Sequence, residues 1–196
     1  MNLTVQYSET LAGMQSKRVI AISGMPGAGK GIASEAGGKL GFDVLVLGDV
    51  IREETERRGL EPNPKNMGEV MLAVRATEGS AVVAKRLLPK IEAAHSSTVI
   101  VEGIRSMHEM RELQSRFQVV TFVIHASPHT RFKRLLTRKR SDDPKNWETF
   151  HERDSRELEV GLGQVIALAD VVVNNEGTID ELQASVKQAL SKMQSQ

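Results

Sequence analysis

The chain has 196 residues, with 26 lysines and arginines against 25 aspartates and glutamates for a net charge of +1. That length and 40% hydrophobic content suit one α/β domain with a buried core, and the near-neutral charge gives no global drive toward nucleic acid or membrane. Cysteine is absent, which excludes disulfides and thiolate zinc sites, and no apolar run approaches the ~20 residues that span a bilayer.

Residues 1–16 have neither the basic start nor the apolar run of a signal peptide, so they read as a flexible tail on a cytoplasmic protein. A single domain is expected over 17–196. Its first element is the apolar run Arg18-Val19-Ile20-Ala21-Ile22-Ser23, a buried strand. The loop Gly24-Met25-Pro26-Gly27-Ala28-Gly29-Lys30-Gly31 follows and leads into a helix over 30–40. Strand, glycine loop and helix in that order match the phosphate-binding pattern G-x-x-x-x-G-K. Glycines let the backbone curl so that its N–H groups converge on phosphate oxygens, the helix adds its positive end, and Lys30 adds a full charge. The expected phosphate-binding residues are these eight and Ile32.

A second strand is expected over 43–47 and a helix from Asp49 to about Gly59. In Gly48-Asp49-Val50-Ile51-Arg52 the arginine is suited to gripping an acceptor phosphate, and Asp49 to orienting or deprotonating an attacking hydroxyl. The bland reading is an N-cap aspartate and a surface arginine paired with Glu56. Two helices are expected between Pro64 and His95, then a strand over 98–102 ending in Glu102-Gly103-Ile104-Arg105. An acid at such a strand end holds the water shell of Mg²⁺, which assigns the metal to Glu102. Arg105 would then face an acceptor phosphate from the side opposite Arg52.

Ser106 and Glu109 have the spacing of a capping box for the next helix. A strand over 119–125 leads to Ser127-Pro128, cap and first turn of a helix with the basic run 131–140. Arg134 is assigned to the nucleotide, and Arg138, Arg140 and Arg153 to the transferring phosphoryl group, which needs positive charge where water is excluded. Asp142 and Asp143 would hold the closed lid, with Trp147 as its packing anchor. The alternative for 131–140 is a solvated basic face or an RNA contact. The last strand, 171–174, precedes a turn that either touches a nucleobase or simply caps the final helix, where Thr178 and Glu181 form a second capping box. The five histidines form no convincing metal pattern. Between strands two and three, and between four and five, the connections run about fifty and about forty-five residues, the length of ligand-binding excursions. We read them as an acceptor-binding insertion over about 49–95 and a short lid over about 131–156.

Taken together these segments resemble the nucleoside monophosphate kinase group, adenylate kinase above all. The loop is similar in its Pro26 and its Gly-Lys-Gly ending. Gly48, Asp49 and Arg52 match G-D-x-x-R, and Arg105 matches the arginine after the third strand. Arg140, Asp142, Asp143 and Arg153 match the R-x-D-D and later arginine of short-lid members. Residues 169–177 resemble instead the A-D-x-V-x-x-N-x-G segment of dephospho-coenzyme A kinase. From about Lys17 onward the chain is similar to an archaeal adenylate-kinase-related family between the two. The resemblance implies a P-loop NTPase three-layer sandwich: a five-stranded parallel sheet in order 2-3-1-4-5 with helices on both faces. It also implies ATP as donor and Mg²⁺ as cofactor.

Three departures matter. Ile32 replaces the threonine of adenylate kinases, so the metal is expected to be held mainly through water and Glu102. The segment Glu-Gly-Ile-Arg is one residue shorter than Asp-Gly-Phe-Pro-Arg. Glu109 replaces the glutamine that reads the acceptor base, so acceptor identity does not carry over. The expected function is ATP-dependent transfer to a small nucleotide-like acceptor by a monomer or homodimer. Other readings are hydroxyl phosphorylation of the dephospho-coenzyme A kinase type, with Asp49 as base, and a slow ATPase acting as a nucleotide-switched RNA or ribosome assembly factor. A nucleotide binder without turnover is a further reading.

Overall fold

The computed structural model describes residues 17–138, 140 and 143–194. Five strands, β1 (Arg18–Ser23), β2 (Asp43–Val46), β3 (Thr98–Glu102), β4 (Gln118–His125) and β5 (Val171–Asn174), form one parallel sheet in the order β2-β3-β1-β4-β5. Ile20 is level with Ile100 on one side and Val120 on the other, so the centre of the sheet is a continuous apolar layer. This is the order expected of the fold.

Period-two alternation assigns the two faces. Ile20, Ile22, Ile100, Phe122 and Ile124 pack under α1 (Lys30–Lys39) and α9 (Ile179–Gln194), against Ala33, Leu182, Val186 and Leu190. Val19, Ala21, Val99 and Val101 face the other way. They are covered by α2 (Leu47–Arg57), α3 (Pro64–Glu78), α4 (Val82–Ala93), α5 (Met107–Gln114) and α8 (Leu162–Ala167). Two more helices, α6 (Pro128–Arg138) and α7 (Trp147–Val160), stand beyond the carboxyl ends of β4 and β1. They are joined by a ring cluster in which Trp147 stacks on His129 at 4.8 Å and on Phe150 at 5.1 Å.

Helix starts follow local chemistry. Asn63 accepts from Asn66 N at 2.9 Å ahead of Pro64, and Asn146 forms a reciprocal box with Thr149. The box between Thr178 and Glu181 is complete. That between Ser106 and Glu109 is not. Ser106 Oγ accepts from Glu109 N at 3.3 Å, but the Glu109 carboxylate accepts from Arg105 N at 2.8 Å instead of reaching Ser106 N. The salt bridge from Arg75 pulls that side chain off the helix start.

β4 begins one residue earlier than expected, at Gln118, and the junction after β2 differs as well. β2 stops at Val46, and α2 begins at Leu47, two residues before Asp49, because Val46 is extended and serves as N-cap. The helix α8 was not anticipated. Gly161, at φ 110°, ends α7 and starts α8, so one left-handed residue turns the chain twice.

Candidate functional site

The β1–α1 loop lies at the carboxyl edge of the sheet. Two of its glycines are required by close approach as well as by positive φ. A Cβ on Gly24 (φ 142°) would lie 2.3 Å from Ile124 O, and one on Gly29 (φ 108°) 2.6 Å from Asn175 Nδ2. The loop is thus wedged between β4 and the turn after β5. Lys30 folds back over it and donates to Gly24 O at 2.7 Å and Met25 O at 3.3 Å. Burial pushes its pKa down to about 8. The charge of Arg105 and, more weakly, Arg153 add to this, while Glu102 and Glu157 oppose it.

Two cavities meet at Lys30. The first, about 840 Å³, is walled by the loop, by Arg134 and Arg138 of α6 and by Thr178, Ile179 and Leu182 at the start of α9. The second, about 650 Å³, runs between α2, α3, α4 and α5, with Ile51, Met67, Met71 and Val83 as apolar wall and Arg75 and Glu109 as polar wall. Lys30, Arg52, Glu102, Arg105, Arg140, Arg153 and Glu157 line both. Five cations and two carboxylates therefore gather at the junction.

The expected residues sort accordingly. Gly24, Pro26, Gly27, Gly29, Lys30, Gly31 and Ile32 line the first cavity, whereas Met25 and Ala28 are buried and do not line it. Asp49 lines neither cavity. With α2 starting at Leu47, Gly48 and Arg52 share the inner face one turn apart, and Asp49 is rotated about 100° from Gly48. Its carboxylate lies 3.7 Å from Arg52 Nε and is largely exposed. Arg52 thus pairs with Asp49 and not with Glu56.

The arginines of α6 turn inward. Arg134 donates to Asn175 O at 3.0 Å, Asn175 Oδ1 at 3.2 Å and Gly177 O at 3.1 Å. Arg138 grips Asp143 through Nε at 3.0 Å, and Arg153 approaches the same carboxylate at 3.5 Å. Arg140 N donates to it at 2.9 Å. Burial disfavours the Asp143 anion, but these donors and charges outweigh it and hold its carboxyl below the usual range. Asp142, expected beside it, lies outside the described residues. Arg105 approaches Glu157 at 3.5 Å.

Several participants were given no role from sequence. Asn175, the asparagine of the A-D-x-V-x-x-N-x-G segment, is buried and donates to Ala28 O at 2.7 Å, bracing the loop from the β5 turn. Glu157 follows Arg153 by one turn of α7, a spacing that could have revealed it. Arg75 could not have been found, since its role depends on how α3 packs on α5. Among the described residues no group of three or more His, Asp or Glu could hold a metal ion. The carboxylates of Glu102 and Glu157, with no hydroxyl from Gly31 or Ile32, suit a Mg²⁺ that keeps most of its waters. No helix among the described residues is long and apolar enough to cross a membrane.

The family model described as AAA domain matches residues 23–151. A UPF0200 protein of Hyperthermus butylicus is 43% identical over 178 residues, covering 91% of this chain and 96% of its own. Another, from Pyrococcus furiosus, is 43% identical and covers 88% and 96%. Among solved structures, TT1252 from Thermus thermophilus superposes with a TM-score of 0.64 at 19% identity, over 90% of this chain and 97% of that one. Shikimate kinase from Bacteroides thetaiotaomicron gives 0.59 at 18% identity, over 92% and 99%. These two likenesses establish the fold alone, a five-stranded parallel sheet in the order β2-β3-β1-β4-β5 with helices on both faces.

Proposed function

The chain belongs to the AAA domain family and, with its archaeal relatives, to the UPF0200 family, and from that premise we propose that it transfers a phosphoryl group from ATP to a small nucleotide-like acceptor. The observation that carries this reading is the pair of cavities meeting at Lys30, one walled by the phosphate loop and the other by α2–α5. A nucleotide hydrolase needs only the first.

The loop amides and Lys30 hold the donor phosphates, and Lys30 exchanges its bonds to Gly24 O and Met25 O for phosphate oxygens. Arg134 faces the nucleotide from the β5 side. Arg52 and Arg105 grip the acceptor's phosphate, and Arg138, Arg140 and Arg153 spread positive charge around the group in transit. Mg²⁺, when bound, neutralises donor oxygens, with Glu102 holding its waters. An oxygen of the acceptor phosphate attacks the γ-phosphorus, the bond to the β–γ bridging oxygen breaks, and ADP leaves.

The position of Asp49 favours a monophosphate acceptor over a hydroxyl. A phosphate oxygen is already an anionic nucleophile, whereas a hydroxyl needs a base, and Asp49 faces neither cavity. The reading as a nucleotide-switched assembly factor for RNA or ribosomes used 131–140 as a partner surface. It loses support because Arg131, Arg134 and Arg138 spend their guanidinium groups on Asp154, Asn175 and Asp143. The test is ADP release from ATP and Mg²⁺ by the protein alone, with each nucleoside monophosphate and with dephospho-coenzyme A. Stimulation by a monophosphate of about a hundredfold, equivalent to ~2.7 kcal/mol of barrier, supports the reading. Equal, slow release in every mixture contradicts it.

A further inference from the structure

The second cavity has two chemically different ends. Its junction end holds Lys30, Arg52, Arg105, Arg140 and Arg153 and accounts for an anion. Its other end, with Ile51, Met67, Met71 and Val83, carries one polar feature, the pair Arg75 and Glu109. Arg75 Nη2 donates to Glu109 Oε1 at 2.9 Å. The second carboxylate oxygen accepts from Arg105 N at 2.8 Å, so Glu109 is engaged on both sides and is 1% exposed. The Arg75 Nε–H is buried without a hydrogen-bond partner. A guanidinium has five donors, and a buried one left unpaired is costly, so an acceptor lone pair brought to Arg75 would relieve that cost.

We infer that Arg75, oriented by Glu109, reads the body of the acceptor by donating to a neutral ring nitrogen or carbonyl oxygen. This deepens the proposed phosphoryl transfer and rests on it. The ion pair already cancels the charge of Arg75, and a second carboxylate placed there would meet Glu109. The site therefore selects a neutral hydrogen-bonding edge and rejects an anionic one. The thioethers of Met67 and Met71 offer polarisable surface to the faces of a flat ring. A nucleobase satisfies all three conditions, with its phosphate at the junction. A carboxylated ring such as shikimate, found in the solved complex of the Acinetobacter baumannii shikimate kinase, fails the second.

The test is calorimetric titration of the full chain with AMP, GMP, CMP, UMP, ribose 5-phosphate and shikimate. We expect one mononucleotide to bind at least about tenfold tighter than ribose 5-phosphate, and shikimate to bind more weakly than that mononucleotide. Arg75→Lys keeps a charge opposite Glu109 but loses the planar fork and the Nε–H. It should bring the favoured mononucleotide to within about threefold of ribose 5-phosphate, while the affinities for ATP and ribose 5-phosphate stay unchanged. Glu109→Gln, the second variant, leaves Arg75 uncompensated and should strengthen shikimate binding relative to the mononucleotide. Base preference that persists in Arg75→Lys, or no gain for shikimate in Glu109→Gln, overturns the inference alone. Intact ATP binding with no response to any mononucleotide or to ribose 5-phosphate overturns the acceptor reading and the inference together.

Discussion

Arg131 of α6 and Asp154 of α7 are joined by two hydrogen bonds, Nη1 to Oδ1 at 2.8 Å and Nη2 to Oδ2 at 2.6 Å. The same guanidinium donates to Ala126 O at 3.1 Å and to Pro26 O at 3.2 Å, and lies 5.0 Å over the Phe150 ring. One buried arginine therefore ties the end of β4, the crown of the β1–α1 loop and α7, which carries Arg153 and Glu157 into the cleft. The pair joins residues near the two ends of the segment 131–156 that the sequence suggested as a lid.

Removing one partner of a buried pair leaves an uncompensated charge and costs about 3–5 kcal/mol. Asp154→Ala should lower the melting temperature by about 10 °C or more. Arg131→Met with Asp154→Leu should recover part of the loss, since both charges then go together. An unchanged melting temperature in Asp154→Ala would show that the pair is dispensable.

Lys30 predicts a proton-linked binding signal. Its pKa is about 8 in the free protein, and donor phosphates favour the charged form and raise it. ATP binding should take up about 0.1 proton at pH 7, about 0.5 at pH 8 and about 0.9 at pH 9, read by calorimetry in buffers of different ionisation enthalpy. Uptake near zero at all three would place Lys30 outside the phosphate site. The lysine has the opposite effect on the free fold. Its folded pKa lies below the usual 10.5, so its destabilising contribution is full below pH 8 and is relieved as pH rises toward 10.5.

Glu54 is a structural counterpart. Hydrogen bonds from Arg57, Arg58 and Arg86 hold its carboxyl down at about 2, against the desolvation of a buried group, and Arg86 links α2 to α4. Because the folded pKa is depressed from 4.5, this stabilisation is complete above pH 4.5 and is lost as pH falls toward 2. Glu54→Gln should cost about 1–3 kcal/mol near neutrality, the lower end applying because Arg57 is largely exposed and rehydrates. Melting curves of the two proteins should converge below pH 3; a constant gap from pH 6 to pH 2 would refute the linkage.

Asp49 and Arg52 separate the two acceptor chemistries. With Asp49 facing neither cavity, Asp49→Asn should change transfer to a monophosphate by less than about threefold, whereas Arg52→Ala should lower kcat/KM by about a hundredfold or more. Loss of activity in Asp49→Asn would return the aspartate to the reaction.

Sequence carried the sheet almost entirely, because each parallel strand is a short apolar run bounded by turn residues. The boundaries of β1, β3 and β5 match expectation, and β2 and β4 differ by one residue. The strand order 2-3-1-4-5 came from resemblance rather than periodicity. The loop from Gly24 to Lys30 was legible because its chemistry is contiguous. What escaped depends on packing between distant segments. A start for α2 two residues early turned Asp49 away, and the neutral pairing of Arg75 with Glu109 needs α3 to lie on α5. Arg131 was read only as one member of the basic run 131–140 of a lid, because nothing in its neighbours reveals Asp154, twenty-three positions on. A charge run says where cations are, not which way they point.

The most direct measurement is ³¹P NMR of a mixture of ATP, Mg²⁺, the protein and the monophosphate that most stimulates ADP release. Appearance of one acceptor diphosphate for each ADP formed, lost in both Lys30→Ala and Arg52→Ala, is the predicted result. Inorganic phosphate in place of the acceptor diphosphate, with Arg52→Ala as active as the wild type, would contradict phosphoryl transfer across the junction of the two cavities.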